Sequence, residues 1–395
     1  MNKGLNKLFE VAQKESRLII GLMSGTSLDG LDIALCRIFN AGMQTKLELV
    51  AFDTFPYSTA FKQKLKEISF KVENNLENIT LINKEIGVFH AQMVNQFLEK
   101  HQIKNEEIDL IASHGQTIFH SPQKLRLQDN IGNATLQIGD ADHIAVETQI
   151  ITLSDFRQKN IAAGKEGAPL VVYGDYLLFK SDKENRILLN IGGISNFTII
   201  PCEGTFEDII STDTGPGNTL MDQFIHQQDV TKFFDHNAEV ASKGTVNQKL
   251  FEALLDHSFF EQKSPKSTGP ELFSLTYLNN AMVKSNTLNM AVEDVMATLN
   301  WFTANTVAQA IILNVVKSQD YGLYLSGGGI HNPLLIKNLQ RLLPNIKMNN
   351  FNLIGFNPDA KEAAIFAVLA NETIAGDYSV FSPETLSMGK ISLPS

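Results

Sequence analysis

The chain carries one local sentence twice, and that repetition limits its fold more than any other feature. Leu18 to Met23 is an apolar run short enough for a buried strand, Ser24-Gly25-Thr26-Ser27-Leu28-Asp29-Gly30 is a polar glycine turn, and Leu31 to Ile38 alternates as a second strand. Arg186 to Asn190, the turn Ile191-Gly192-Gly193-Ile194-Ser195-Asn196 and Phe197 to Ile200 repeat the pattern. Leu323 to Gly329 echoes Leu110 to Gly115, and Lys361 to Ala370 echoes the helix that follows Asp140. A repeat this long is no solenoid unit; it predicts duplication of one α/β unit. With 395 residues, against about 150 for one domain, the expectation is two lobes around a cleft. Residues 1–155 form the first, with about 375–395 packing back on it, and 156–374 form the second.

The turns are where chemistry belongs. Glycines let backbone N–H groups approach a ligand, and the Ser and Thr hydroxyls suit phosphate oxygens. Asp29 and Asp32 would repel a bare phosphate but accept one carrying Mg²⁺. No helix opens after the first turn, so it is neither a P-loop nor a dinucleotide fingerprint. For either copy alone, a plain hairpin with a polar turn is the alternative.

Between the repeats, Ile108 to Ala112 reads as a buried strand delivering Ser113-His114-Gly115-Gln116-Thr117 at its end, where open α/β sheets bind ligands. The alternative for His114 is a satisfied histidine under a loop. Helices are expected over about 60–70, 80–100, 141–148, 168–179, 220–227, 245–256 and 294–317. Val295, Leu299, Phe302, Thr306, Ala310 and Leu313 point inward from the last. Ile150 to Leu153 is a strand ending in Ser154-Asp155-Phe156-Arg157, whose Asp and Arg bind a polar substrate or pair with each other. Asp213, in Asp213-Thr214-Gly215-Pro216-Gly217-Asn218, sits at a strand end before a restricted turn. There a carboxylate can serve as a general base or cap the following turn. Lys266 reaches a phosphate or is simply solvated, and Gly327-Gly328-Gly329 would let a flat adenine ring lie against backbone.

Composition narrows the partners. A formal net charge of −10 disfavours nucleic acid and anionic membrane. Two cysteines give neither a disulfide framework nor a zinc pattern. The polar N-terminus has no apolar signal core, and no segment has the uncharged length of a membrane helix. The expectation is a soluble cytoplasmic protein.

Taken together and in order, these motifs resemble the bacterial anhydro-N-acetylmuramic acid kinases: the first turn, Ser113 to Thr117, Thr135-Leu136-Gln137-Ile138-Gly139-Asp140, Asp155-Phe156-Arg157, Asn190 to Asn196, Asp213 to Asn218, Lys266-Ser267-Thr268-Gly269 and Ser326 to Gly329. The resemblance implies a duplicated actin-like ATPase (ribonuclease H-like) α/β fold. It implies ATP, with Mg²⁺, phosphorylating O6 of 1,6-anhydro-N-acetylmuramic acid while water opens the anhydro bridge. Asp213 would be the base and Glu362 a second acid near the water. Gly25, Thr26, Ser27, Leu28, Asp29, Gly30, Leu31 and Asp32, with Gly192, Gly193, Ser195 and Asn196, would hold the phosphates, and Asp29 and Asp32 the metal. Gly327, Gly328, Gly329 and Asn332 would face the nucleoside. His114, Gln116, Thr117, Gln137, Asp140, Asp155 and Arg157 would contact the sugar and its lactyl carboxylate. A homodimer is the default assembly. Two departures stand out: Gly164-Lys165-Glu166-Gly167 replaces the family's paired glycines, and Pro270 stands where an Arg is usual. The Lys266 loop is therefore given no phosphate role. An ordinary amino-sugar kinase and a non-catalytic ATP-dependent switch are the rival readings.

Overall fold

Both repeats fold as the pattern predicts, each opening a sheet in its own half of the chain. The computed structural model describes residues 2–25, 28–121, 123, 131–167, 169–269, 271–382 and 385–394. The chain divides into two compact units, residues 1–178 with 360–395 and residues 179–359.

Unit 1 is built on β1 (Ser16–Ser24), β2 (Gly30–Phe39), β3 (Lys46–Pro56), β4 (Leu110–Ser121), β5 (Ala134–Ile138), β6 (Thr152–Ser154) and β12 (Lys390–Ser392). The sheet order is β12-β6-β4-β1-β2-β3, with β5 also pairing β4. β2 is antiparallel to both β1 and β3, whereas β4 is parallel to β1 and to β6. Buried on both faces, β1 and β4 are the near-continuous apolar runs expected of strands covered by helices. One face carries the helix Leu76–Lys100 through Ile82, Ile86, Met93 and Phe97. The helix Lys361–Ala375 packs on β1, β2 and β4.

Unit 2 has β7 (Asn185–Ile191), β8 (Ile194–Ile200), β9 (Ile210–Pro216), β10 (Tyr321–Ser326) and β11 (Lys347–Asn350) in the order β11-β10-β7-β8-β9. Its first three strands are antiparallel and its last two run parallel to the first. Counted within each unit, the path runs third, second, first, fourth, sixth, seventh in unit 1, its fifth strand also lying on the fourth, and third, second, first, fourth, fifth in unit 2. The shared core of third, second, first and fourth strands, twice, is the duplicated actin-like (ribonuclease H-like) fold. Between β9 and β10 lies a helical segment with its own core around Leu250, Phe273 and Phe302.

Three expectations change. The boundary falls after Leu178 rather than near residue 155, and the chain returns to unit 1 at Ala360 rather than about 375. The cause is the helix Val171–Phe179, whose Asp175 pairs with Lys361 at 2.8 Å. β4 continues to Ser121, so Ser113 to Thr117 lie inside the strand and not beyond it. Leu313 is 81% exposed, because the helix Val292–Asn314 ends one residue later.

Candidate active site

The turn after β1 is held from inside the sheet. Register pairing places Ser24 beside Gln116, and Ser24 Oγ donates to Gln116 Oε1 at 2.6 Å. Gln116 is wholly buried, and its Nε2 donates to the Gly25 carbonyl at 3.3 Å. The expected sugar contact is thus committed to the turn. Gly30 is required by packing, since a Cβ there would lie 2.4 Å from the Phe55 carbonyl oxygen. Leu28 and Leu31 are buried anchors. Asp29 faces solvent with Lys62 3.6 Å away, and Asp32 accepts from Thr54 Oγ1 at 2.6 Å. Thr26 and Ser27 lie outside the described residues.

A second group in unit 1 surrounds Arg157 and Glu362. Arg157 donates through Nη1 to the Gly167 carbonyl at 2.9 Å and lies through Nη2 3.1 Å from His114 Nε2. His114 must therefore accept there, its Nδ1 proton going to the Gly115 carbonyl at 3.0 Å. Burial, and then the neighbouring guanidinium, bring its pKa down to about 3, so the ring is neutral. Burial also lowers Arg157, to about 10, against the attraction of Glu362. Glu362 is reached by solvent yet crowded by protein. Its carboxyl is raised above the usual range, chiefly by that crowding, with Lys361 opposing and Asp32 and Asp175 reinforcing the shift.

Other predicted contacts have local duties. Asp155 does not pair with Arg157; it meets Lys390 on β12. Asp140 caps the helix Ala141–Thr148, accepting from the Asp142 N–H at 2.9 Å. Gln137 donates to Thr117 Oγ1 at 3.2 Å and Thr135 Oγ1 at 2.7 Å. His114, Gln137, Asp140 and Asp155 nonetheless line one cavity of about 290 Å³, roofed in part by Lys390.

In unit 2 the carboxylate of Asp213 is fixed from a distant loop. The Thr268 N–H donates to its Oδ2 at 2.8 Å, and its own N–H donates to the Lys266 carbonyl at 2.9 Å. Asp213 does not cap the turn after it. Desolvation raises its pKa to about 6, the Thr268 N–H opposing and Glu271 reinforcing the shift. Lys266 itself turns away, its Nζ donating to the Phe259 carbonyl at 2.9 Å and lying 4.2 Å from that ring's centroid. The loop's part is to hold Asp213 through its backbone, while Pro270 lies outside the described residues. Register pairs Asp213 with Asn196.

The glycines of unit 2 sort into two kinds. At Gly192 and Gly193 an added Cβ would meet nothing closer than 3.6 Å and 3.9 Å, so packing does not demand glycine and room is left beside the backbone. Gly327 and Gly329 are demanded by packing: a Cβ would lie 2.5 Å from Asn190 Oδ1 and 2.3 Å from Ile191 Cγ2. Of that triplet, Gly328 alone stays open, with Asn218 Nδ2 at 3.7 Å. Asn332 caps the helix Pro333–Leu342, its Oδ1 accepting from Leu335 N–H and Asn300 Nδ2, each at 3.0 Å. Ser195 is buried, and its Oγ has no partner among the described residues.

Sequence reasoning missed the buried pair Tyr57 and His90, whose hydroxyl and Nε2 lie 2.7 Å apart behind the turn after β1, and also Thr268 and the Asp175–Lys361 pair. Pro56-Tyr57-Ser58 reads only as a strand break, and a lone histidine in a helix carries no signal. Thr268 acts through its backbone, which any residue but proline supplies.

Twin sheets of this order, glycine turns after their first strands and a fixed, partly desolvated carboxylate define a kinase of the actin-like sugar-kinase class. The family model for anhydro-N-acetylmuramic acid kinase matches residues 17–385. An anhydro-N-acetylmuramic acid kinase of Pseudoalteromonas atlantica is 52% identical over all of both chains. One from Caldanaerobacter subterraneus is 39% identical over 98% of this chain and 100% of its own. Among solved structures, the activator of a Clostridium difficile 2-hydroxyisocaproyl-CoA dehydratase aligns with a TM-score of 0.41 at 11% identity, covering 90% of this chain and 95% of that one. The chain belongs to the anhydro-N-acetylmuramic acid kinase family.

Proposed function

We propose that this kinase uses ATP to phosphorylate O6 of 1,6-anhydro-N-acetylmuramic acid while water opens the anhydro bridge. The products would be N-acetylmuramic acid 6-phosphate and ADP, returning a cell-wall sugar to metabolism. The observation carrying the reading is Asp213. One of its oxygens is bound by Thr268 N–H, the other has no partner among the described residues, and a pKa of about 6 leaves it ionised yet basic at neutral pH.

Asp213 takes a proton from water as the water oxygen bonds to C1. The C1–O6 bond breaks, its electron pair stays on O6, and that oxygen attacks the γ-phosphorus as ADP leaves. Strain in the bridged sugar thereby assists phosphoryl transfer. Glu362, its carboxyl raised above the usual range, would serve as the second acid. The turn from Gly25 to Asp32 would take the γ-phosphate, and Gly192 to Asn196, with its open glycines, the opposing phosphate. Among the nucleoside residues, Gly328 keeps its place most directly. Arg157, oriented by neutral His114, suits the lactyl carboxylate, and the cavity lined by Gln137, Asp140 and Asp155 suits sugar hydroxyls.

Among the described residues no group of three or more His, Cys, Asp or Glu could hold a metal by itself. Mg²⁺ needs only one or two carboxylates beside phosphate and water, and Asp29 and Asp32 would supply them. Bound there, Mg²⁺ would neutralise charge on the transferring phosphate. We place the enzyme in the cytoplasm, where ATP is available, as a homodimer that sedimentation would reveal; among the described residues no helix could span a membrane.

Turnover in ¹⁸O-enriched water tests the reading. Label at C1 of a product analysed at once by mass spectrometry is expected. An unlabelled C1, or equal turnover of free N-acetylmuramic acid, would make the protein an ordinary amino-sugar kinase.

A further inference from the structure

Tyr57 grips the turn after β1 from both ends. Its backbone N–H donates to the Asp29 carbonyl at 3.1 Å, and its hydroxyl donates to Ser24 Oγ at 2.8 Å. From Ser24 the row continues through Gln116 to the Gly25 carbonyl, as described above. Behind Tyr57, His90 Nε2 lies 2.7 Å from the phenolic oxygen. The tyrosine proton is spent on Ser24, so His90 must donate to it from Nε2. Its Nδ1, with no partner among the described residues, is then the unprotonated nitrogen. Burial keeps the ring neutral, its pKa lowered to about 3.

The row is one-directional and dry: His90 and Gln116 are 0% exposed, Ser24 1% and Tyr57 4%. The peptide whose Asp29 carbonyl is bound inward by Tyr57 presents the Gly30 N–H the other way. Within the turn Leu28 holds φ at +59°, a conformation that a side-chain-bearing residue keeps only when its surroundings enforce it.

We propose that Tyr57 and His90 are positioning residues for the γ-phosphate: through Ser24, Gln116 and the carbonyls of Gly25 and Asp29, they set the turn without touching nucleotide or sugar. This rests on the reading of residues 25–32 as the γ-phosphate turn. No proton moves along the row during turnover; its work is orientation.

Tyr57→Phe keeps the ring against Phe61, 5.0 Å away edge-on, and deletes only the hydroxyl. The KM for ATP should rise roughly three- to tenfold, the worth of one buried hydrogen bond. Inhibition by ADP, which lacks the γ-phosphate, and the KM for the sugar should hold. His90→Leu should act in the same direction, and His90→Gln, whose amide can donate, should restore much of the loss. An unchanged KM for ATP in Tyr57→Phe and His90→Leu overturns the proposal, as does a parallel loss of ADP, ATP and sugar binding, which would mark a purely structural role. Asp29→Asn, on the surface of the turn, separates the layers. If it weakens ATP while Tyr57→Phe does not, only the positioning proposal falls; if neither weakens ATP, the phosphate-turn reading falls with it.

Discussion

Gly21, in the middle of β1, lies so close to the helix Lys361–Ala375 that a Cβ on it would stand 1.8 Å from the carbonyl oxygen of Ala363. Backbone meets backbone there, and neither can yield cheaply. The contact fixes the first turn of that helix, and with it Glu362, over the strand that leads into the first glycine turn. Gly21→Ala should therefore destabilise the fold by about 2 kcal/mol or more, on the scale of an overpacked core, and lower the thermal midpoint accordingly. Turnover should fall with it, as read by scanning calorimetry and a coupled ATP assay. A variant with native midpoint and turnover would show that the helix shifts freely.

Asp213→Asn removes the basic oxygen while keeping the Thr268 N–H bond and the side-chain volume. Turnover should drop by about two to four orders of magnitude, with circular dichroism and thermal midpoint essentially unchanged. Ring opening and phosphate transfer should be lost together, because O6 becomes a nucleophile only as water attacks.

The pH profile follows from the same carboxyl. Its pKa is raised to about 6, so the base is ionised above that value and protonated below it. Activity should decline as pH falls through about 6. Glu271 contributes to the rise, so Glu271→Gln should move the acid limb to lower pH. Thr268→Pro removes an opposing hydrogen bond and should move it higher. Profiles of kcat/KM for the three proteins decide this.

Lys361 and Asp175 form an ion pair at 2.8 Å with side chains only 11% and 1% exposed. Lys361→Met leaves Asp175 charged and buried, which should cost about 3–5 kcal/mol in chemical denaturation. The double variant Lys361→Met with Asp175→Leu should recover much of that loss. Removing the ammonium also removes one influence that lowers the Glu362 pKa, so the carboxyl of Glu362 should titrate at higher pH in Lys361→Met, and the double variant, which loses the raising influence of Asp175 as well, should shift it less.

Much of the architecture was legible because strand periodicity and turn glycines are local. The repeats at Leu18 and Arg186 announced both sheets and their antiparallel first strands. The unit boundary was not legible: the helices Val171–Phe179 and Lys361–Ala375 are apolar nearly all round, and such helices do not reveal which sheet they cover. Side-chain direction was the other gap. Gln116 and Asn332 have the chemistry of ligand contacts, but register turns one toward Ser24 and a helix start claims the other. Asp213 lies inside β9, which runs on to Pro216, and not at the strand end expected; the sequence showed it only as an acid before a glycine and proline turn. Its clamp was not legible, because Thr268 lies 55 residues away and acts through an atom every non-proline residue owns.

Unit 2 is continuous in sequence, whereas unit 1 is interrupted by it and resumes at Ala360. On the ribosome, where chains emerge at roughly 5–20 residues per second, the first-written half must wait for the helix that closes over Gly21. The later-written half can settle first. Glu362 belongs to that returning helix, so it reaches its place over β1 only when the last part of unit 1 has been made.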